Sequence, residues 1–561
     1  MRCKAMDFRE EYNHWLQKLS PDNPMYSELF AIKDDNSEIT DRFYQDITFG
    51  TAGLRGICGA GRNRMNPLTV GRATQGIANF LNHSGEDTSQ GVVIAYDCRH
   101  HSKEFSELAA RILMGNGIPV FLFPSLRPTP ELSFTIRKLG TLSGINLTAS
   151  HNPKEYNGYK VYWKDGAQIS GSISQGMQQE IMALDLFDTF QEISLEDAER
   201  KGLLTILGQE VDRQYLDYVE SLSLRPKEEL DLSIPIVYTP LNGAGSIPVT
   251  TVLTEMGYSE VHVVEEQRDP DPDFTTVGYP NPEDPKAFSY SERLGKTLGA
   301  EVLIATDPDS DRMAIELLEP DGEYHFLNGN QTGGLLISYL AMSRREKGNM
   351  PENPVMIKSI VTGDFGRTIC EDYGIAVKEA LTGFKNICGR IPELQKEGYQ
   401  YFFGYEESIG CAPGEMVHDK DGIAASLLIA EMAAWYRKRG MTLYEALQNL
   451  FQKYGYFAES QVSLIRKGEK GAEEISAIME KFRNGAPQRF GQKTDYRNGF
   501  EDIPASNVLR FTIDESTWFA VRPSGTEPKL KLYFYTRKPN SSEANNTISS
   551  LQEDVLKWIN K

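Results

Sequence analysis

Three aspartates stand at alternate positions in Thr306-Asp307-Pro308-Asp309-Ser310-Asp311-Arg312, directly after the apolar run Glu301-Val-Leu-Ile-Ala. Carboxylates this crowded repel one another unless a cation neutralises them, and an all-oxygen donor set selects a hard ion such as Mg²⁺. An EF-hand is excluded: its sixth position falls on Arg312 where Gly is needed, and its twelfth on Leu318 where Glu is needed. A second polar cluster, Thr148-Ala-Ser150-His151-Asn152-Pro153, follows the run that begins at Ile145. No Gly-x-Ser-x-Gly elbow surrounds Ser150, which argues against acyl transfer. A serine that carries a phosphoryl group needs a metal and cations. The chain offers Asp307, Asp309 and Asp311 for the first and Arg55, His151 and Lys160 for the second. A plain turn is the competing reading of Ser150.

Two further segments carry binding chemistry. Arg522-Pro-Ser524-Gly525-Thr526-Glu-Pro-Lys-Leu-Lys531 combines hydroxyls, a glycine that exposes backbone N–H groups and flanking cations. That composition makes an anion nest for a phosphate, with a basic β-turn as the alternative. It is not a Walker loop, because no Gly-x-x-x-x-Gly-Lys-[Ser/Thr] occurs in the chain. Gly404-Tyr405-Glu406-Glu407-Ser408-Ile-Gly410 ends the aromatic run Tyr399-Gln-Tyr-Phe-Phe, and its carboxylates and hydroxyl suit the vicinal hydroxyls of a sugar. A solvated loop is the other reading.

The elements that must position these residues show a weak internal repeat. Gly91-Val-Val-Ile-Ala-Tyr-Asp, Ile234-Pro-Ile-Val-Tyr and Val355-Met-Ile-Lys-Ser-Ile-Val each lead through an amphipathic helical stretch and a glycine (Gly117, Gly257, Gly374) into a second β run. This is the βαβ order, and it predicts three similar α/β domains with mixed sheets. After about residue 455 the order changes to a strand, a helix, successive strands at Val508, Trp518 and Leu530, and a final helix, which predicts an antiparallel α+β domain. The boundaries fall near 210, 325 and 455, giving domains over 1–210, 211–325, 326–455 and 456–561.

The 561 residues carry 59 Lys+Arg against 79 Asp+Glu, a formal charge of −20. That balance argues against nucleic acid, whose binding rests on basic side chains. No apolar stretch long enough for a membrane span occurs, and the opening residues mix charges where a signal peptide would be apolar. The six cysteines show no Cys-x-x-Cys spacing, which fits free thiols. A cytoplasmic location is expected.

Together the four segments resemble the α-D-phosphohexomutase superfamily, the phosphoglucomutase and phosphomannomutase enzymes, and Phe49-Gly-Thr-Ala-Gly-Leu-Arg55-Gly56 resembles that family's N-terminal segment. The resemblance implies four domains around a central cleft. It also implies a phosphoserine at Ser150 and Mg²⁺ bound by Ser150, Asp307, Asp309 and Asp311. Arg55, Arg312 and His151 would then stabilise the transferring phosphoryl group, and Thr382, Glu406 and Ser408 would hold the sugar. Lys420, with Lys385 as runner-up, would act as general acid and base. Arg522, Ser524, Gly525, Thr526 and Lys531 would grip the non-reacting phosphate, and glucose 1,6-bisphosphate would be the intermediate and activator. Tyr405 resembles the branch that contains bacterial phosphoglucomutases, phosphopentomutases and glucose-1,6-bisphosphate synthases. The Glu-Glu-Ser core, in place of the Glu-Met-Ser of mannose-tolerant enzymes, favours glucose phosphate. A pentomutase, a bisphosphate synthase, a phosphomannomutase, a non-catalytic sugar-phosphate sensor and a metal-dependent phosphatase remain as alternatives. In this picture Arg55, His151, Lys160, Arg312, Lys420, Arg522 and Lys531 collect locally, and the global charge serves solubility.

Overall fold

The computed structural model of the chain describes residues 7–50, 52–466, 468–524 and 529–560. They fall into two compact units. The first holds the chain up to Ser223 with Leu232–Glu316 and Ala412–Ala430; the second holds Leu224–Asp231, Leu317–Cys411 and the chain from Glu431 onward.

In the first unit, helices Phe8–Lys18, Pro24–Ala31 and Asn36–Phe43 pack around the fully buried Trp15, Leu29, Ile39 and Phe43. Each begins on a side-chain cap, from Asp7, Asn23 and Asp35, and the Trp15 and Phe43 rings meet edge-on at 5.6 Å. Caps and aromatic packing let helices this short persist. Strands β1 (Gly53–Ile57), β2 (Val92–Tyr96), β3 (Val120–Leu122), β4 (Ser143–Leu147), β5 (Tyr156–Trp163) and β6 (Leu204–Ile206) form a sheet in the order β1-β5-β4-β2-β3-β6. β4, β2, β3 and β6 are parallel, whereas β5 and β1 join antiparallel, so the sheet is mixed. β2 and β4 are buried throughout, which is why they read as continuous apolar runs.

β7 (Ile236–Thr239), β8 (Val261–Val263), β9 (Val302–Thr306), β10 (Met313–Leu318) and β11 (Tyr324–Leu327) follow, with β9 between β7 and β10. β7 runs parallel to both β8 and β9, and β9 is buried at every residue. The polar segments after β4 and β9 therefore leave the carboxyl ends of buried strands, where open α/β sheets place ligands.

In the second unit, β12 (Pro354–Ser359), β13 (Ala376–Ala380), β14 (Gln400–Glu406) and β15 (Gly410–Ala412) have the order β13-β12-β14-β15, with β12 parallel to both neighbours. Helix Phe365–Tyr373 connects β12 to β13 and stops at Gly374, whose φ of 73° is the left-handed cap that glycine adopts without strain. β16 (Tyr456–Ile465), β17 (Gln492–Asp495), β18 (Leu509–Asp514), β19 (Thr517–Pro523) and β20 (Lys529–Lys538) form an antiparallel sheet ordered β16-β20-β19-β18-β17. One face carries helices Gly468–Gly485 and Ser541–Ile559 around Phe482, Phe511, Phe519 and Phe534; the other packs Trp518, Tyr533 and Tyr535 against Ile360 and Val361. The fold class is the expected one: three α/β layers with mixed or parallel sheets, then an antiparallel α+β layer. Among the described residues no helix is long and apolar enough to cross a membrane.

Candidate active site

Ser150 lies at the tip of the loop that leaves β4, at a φ of 54°. A non-glycine residue takes this left-handed conformation at a cost of about 1–2 kcal/mol, so its surroundings must enforce it. Thr148 Oγ1 accepts from Ser150 N at 2.8 Å and donates to Asp97 Oδ2 at 2.6 Å. The buried Arg99 guanidinium donates to the carbonyls of Ser150, Asn152 (2.5 Å), Pro153 (2.8 Å) and Tyr156 (3.1 Å). Asp97 in turn accepts from Arg99 N at 3.0 Å and Ser102 Oγ at 2.8 Å. β2 and β4 are parallel neighbours, so Asp97 and Thr148 emerge from adjacent strand ends although they are 51 residues apart.

Ser150 Oγ donates to Asp307 Oδ2 at 2.6 Å and lies 3.2 Å from His151 Nδ1. Asp307, Asp309 and Asp311 are all buried, with one oxygen of each within 4.8 Å of the others. Their turn closes through Ser310 N to Asp307 O at 2.9 Å and Arg312 N to Asp307 Oδ1 at 3.0 Å, with Ser310 at a φ of 54°. Lys160, on β5, donates to Asp309 Oδ2 at 2.7 Å and stands 3.8 Å from Asp311 Oδ2, while Lys420 Nζ stands 3.0 Å from that same Asp311 oxygen. Thr129 Oγ1 also donates to Asp309 Oδ2, at 2.8 Å. The Oδ1 atoms of Asp309 and Asp311 are buried without a hydrogen-bond donor. Buried carboxylate oxygens in that state are costly, and one hard divalent cation satisfies both. The donor set therefore fits a metal.

The charges sort by environment. Burial, followed by repulsion from Asp309 and Asp311, pushes the Asp307 carboxyl well up, and burial with repulsion from Asp309 raises Asp311. For Asp309 burial works in the same sense but is outweighed by Lys160, whose ammonium holds it below the usual carboxylate range. Burial, then Arg312 and Arg55, drive His151 well down, so its ring is neutral. The backbone before Lys420 is anchored by Asp419, which accepts from Tyr162 OH at 2.9 Å, Gln168 Nε2 at 3.0 Å and Lys420 N at 2.8 Å. The first unit thus brings together Arg55, Ser150, His151, Lys160, the three aspartates, Arg312 and Lys420.

In the second unit Glu406 is the last residue of β14, and its Oε1 accepts from Gly383 N at 2.6 Å, next to Thr382. Lys385 is half-buried on helix Phe384–Gly389, and burial lowers its ammonium pKa. Tyr405 is buried where Gly333 and Gly366 leave room: a Cβ on either would stand 2.5 Å from the Tyr405 side chain. Neighbouring strand residues face opposite ways, so the tyrosine supports β14 from the side away from Glu406. Ser408 follows, before Ile409 at a φ of 50°. Arg522 and Lys531 are direct cross-strand partners on β19 and β20, and Ser524 N donates to Lys529 O at 2.7 Å. Gly525 and Thr526 lie outside the described residues.

Sequence reasoning missed Asp97, Arg99, Thr129, Tyr162, Gln168 and Asp419. For Asp97 and Arg99 the signal was present, since they too follow directly on a buried apolar strand.

Comparison with known proteins agrees with the geometry. Residues 46–186, 213–317 and 328–454 match phosphoglucomutase/phosphomannomutase alpha/beta/alpha domains I, II and III respectively. A phosphoglucomutase of Staphylococcus haemolyticus is 36% identical over 523 residues, covering 90% of this chain and 93% of that protein. A phosphoglucomutase of Staphylococcus aureus strain USA300 is 35% identical over 554 residues, covering 96% and 97%. Among solved structures, a putative phosphomannomutase from Thermus thermophilus superposes with a TM-score of 0.67 at 22% identity, covering 92% of this chain and 100% of that one. The open form of pp63/parafusin from Paramecium gives 0.70 at 18% identity, covering 92% and 95%. Fold and site define a multidomain α/β protein with an acidic, serine-linked centre at its strand ends. The chain belongs to the phosphoglucomutase/phosphomannomutase family.

Proposed function

We propose that the chain is a phosphosugar mutase that interconverts glucose 1-phosphate and glucose 6-phosphate. The observation that carries this reading is the Ser150 hydroxyl at 2.6 Å from Asp307, inside a buried carboxylate triad flanked by Lys160 and Lys420. The phosphoglucomutases to which the chain is similar support glucose as the sugar.

Ser150 carries the phosphoryl group. The Oγ–P bond breaks as one hydroxyl of the bound monophosphate takes the phosphorus, which leaves a glucose bisphosphate and a free serine hydroxyl. After the bisphosphate turns over, its other phosphate passes to Ser150 Oγ and the isomer leaves. Ser150, Asp307, Asp309 and Asp311 would hold Mg²⁺, which would supply positive charge against the phosphoryl oxygens. His151, Arg55 and Arg312 supply a hydrogen bond and positive field at the same group. Lys420, with Lys385 as the alternative, takes the proton of the attacking hydroxyl, and one proton is passed to the oxygen that departs, Ser150 Oγ in the first transfer and the sugar oxygen in the second. Thr382, Glu406 and Ser408 hold sugar hydroxyls, and Arg522, Ser524, Gly525, Thr526 and Lys531 hold the distal phosphate. Arg522 and Lys531 are direct partners across the β19–β20 ladder, and two cations placed side by side in this way support that last assignment.

The test is a coupled assay on glucose 1-phosphate, ribose 1-phosphate and mannose 1-phosphate side by side with Mg²⁺, with and without glucose 1,6-bisphosphate. Glucose 6-phosphate forming fastest, and sooner with the bisphosphate, supports the proposal. Preference for ribose 1-phosphate makes the enzyme a pentomutase, and release of inorganic phosphate without an isomer makes it a phosphatase.

A further inference from the structure

Glu407 lies between Glu406 and Ser408, the two residues assigned to sugar hydroxyls, yet its own carboxylate is committed elsewhere. Its Oε2 accepts from Thr362 Oγ1 at 2.9 Å and Ser359 Oγ at 3.3 Å, and these two hydroxyls are 2.8 Å from each other. Glu407 N lies 3.3 Å from Thr362 Oγ1 as well. Ser359 ends β12 and Glu407 follows β14. The strands are parallel neighbours with Lys358 opposite Tyr405, so the two segments leave the sheet side by side.

The Ser359–Asp364 segment is itself locked in place. The fully buried Lys358 donates to Thr362 O at 2.7 Å and to Asp364 Oδ1 at 3.1 Å. Gly363 N donates to Asn330 Oδ1 at 2.9 Å, and Asn330 Nδ2 donates to Glu459 Oε2, on β16, at 2.8 Å. From the antiparallel sheet, Tyr535 OH donates to Val361 O, and Trp518 Nε1 donates to Asp364 Oδ2 at 2.6 Å. The same short segment therefore grips Glu407 on one side and strands β16, β19 and β20 on the other.

We propose that Glu407 is a positioning residue and not a sugar ligand. By anchoring on Ser359 and Thr362 it sets where Glu406 and Ser408 stand. Through Val361 and Asp364 it ties the sugar-binding segment to the sheet that bears Arg522 and Lys531. A sugar phosphate held at both ends is then measured against a spacing that one segment fixes. The inference rests on the mutase reading. Its chemistry requires an acceptor oxygen at position 407, which glutamine retains and methionine lacks; without it the two hydroxyls pair with each other and the segment is released.

The experiment compares full-length wild type, Glu407→Met, Glu407→Gln, Thr362→Val and the Glu407→Met/Thr362→Val double variant. It measures kcat and KM for glucose 1-phosphate, glucose 6-phosphate binding by calorimetry, and thermal unfolding. Glu407→Met and Thr362→Val are each expected to raise KM and the calorimetric Kd about tenfold with kcat within about threefold. Glu407→Gln is expected to recover most of that loss, and the double variant to be no worse than about the worse single, as for two partners in one contact. A Glu407→Met variant within about twofold of wild-type KM and Kd, Glu407→Gln as damaging as Glu407→Met, or multiplying effects in the double variant would overturn the proposal. Should Glu407→Met fail to fold, Thr362→Val and Glu407→Gln decide by the same criteria. A wild type that binds glucose 6-phosphate but leaves glucose 1-phosphate unchanged overturns the mutase reading instead, and calorimetry then tests Glu407 alone.

Discussion

Ser150 Oγ and Asp307 Oδ2 are joined by a 2.6 Å hydrogen bond that spans 157 residues of chain. It links the loop after β4 to the loop after β9, so two separately built sheets converge on one oxygen atom. Replacing Ser150 by alanine removes that oxygen and little else. Turnover is expected to fall by at least about 10³-fold, while the thermal unfolding midpoint moves by only a few degrees. Labelled phosphate from glucose 1,6-bisphosphate should no longer be incorporated into the protein. Incorporation at the wild-type level in Ser150→Ala would move the phosphate carrier to another residue.

Metal binding has a readout apart from catalysis. Two buried aspartate oxygens lack donors, and burial and mutual repulsion raise Asp307 and Asp311. A cation that relieves this stabilises the fold by about 2.7 kcal/mol at a hundredfold excess over its Kd. Added Mg²⁺ should therefore raise the unfolding temperature of chelator-treated protein, and Asp311→Asn should blunt the rise. An unfolding temperature indifferent to Mg²⁺ would count against the site.

Arg99 touches neither the carboxylate triad nor the Ser150 hydroxyl, but it draws four carbonyls of the Ser150–Tyr156 segment onto one guanidinium. A lysine keeps the charge and loses the planar fork, so it cannot serve all four. Arg99→Lys is expected to lower kcat about 10- to 100-fold with KM within about threefold, since misplacing the nucleophile penalises chemistry more than binding. Unaltered kcat would show that the loop holds its shape without this contact.

Stability should also depend on pH at a position remote from the chemistry. Burial, with a smaller contribution from Glu292, pushes the Glu316 carboxyl on β10 from its ordinary 4.5 to about 8. The folded state keeps a proton that the unfolded chain gives up, so the contribution is complete below about pH 4.5 and is lost as the pH rises through about 8. Glu316→Gln removes this titration. Urea unfolding at about pH 5 and about pH 8.5 should show wild type losing on the order of 3 kcal/mol relative to the variant between the two conditions. Parallel behaviour of both proteins would mean that Glu316 is ionised in the fold.

Much of the site was legible because its residues obey one rule: polar clusters placed directly after buried apolar strands. Ser150, Asp307, Asp309 and Asp311 follow it, and the structure sets them together. Asp97 and Arg99 obey the same rule, but Asp97 acts on the Thr148 and Ser102 hydroxyls and Arg99 on backbone carbonyls, and a carbonyl has no residue type to betray it. Glu407 shows a different limit. Its side-chain type suggested sugar binding along with its neighbours, and only the adjacency of β12 and β14 reveals that it reaches Thr362. The three opening helices escaped for yet another reason, because their core, gathered around Trp15 with Ala60 and Leu186, adds no strand to the βαβ pattern.

The left-handed backbone at Ser150 narrows the chemistry that evolution or engineering can install there. Threonine also bears a hydroxyl and, judged on reactivity alone, could accept a phosphate as serine does. Its branched β-carbon, however, crowds the chain at a φ of 54°. An exchange that is mild on most surfaces is disfavoured at this one position. In the proposed mechanism the phosphate carrier is thus selected for slimness at the β-carbon as well as for its oxygen.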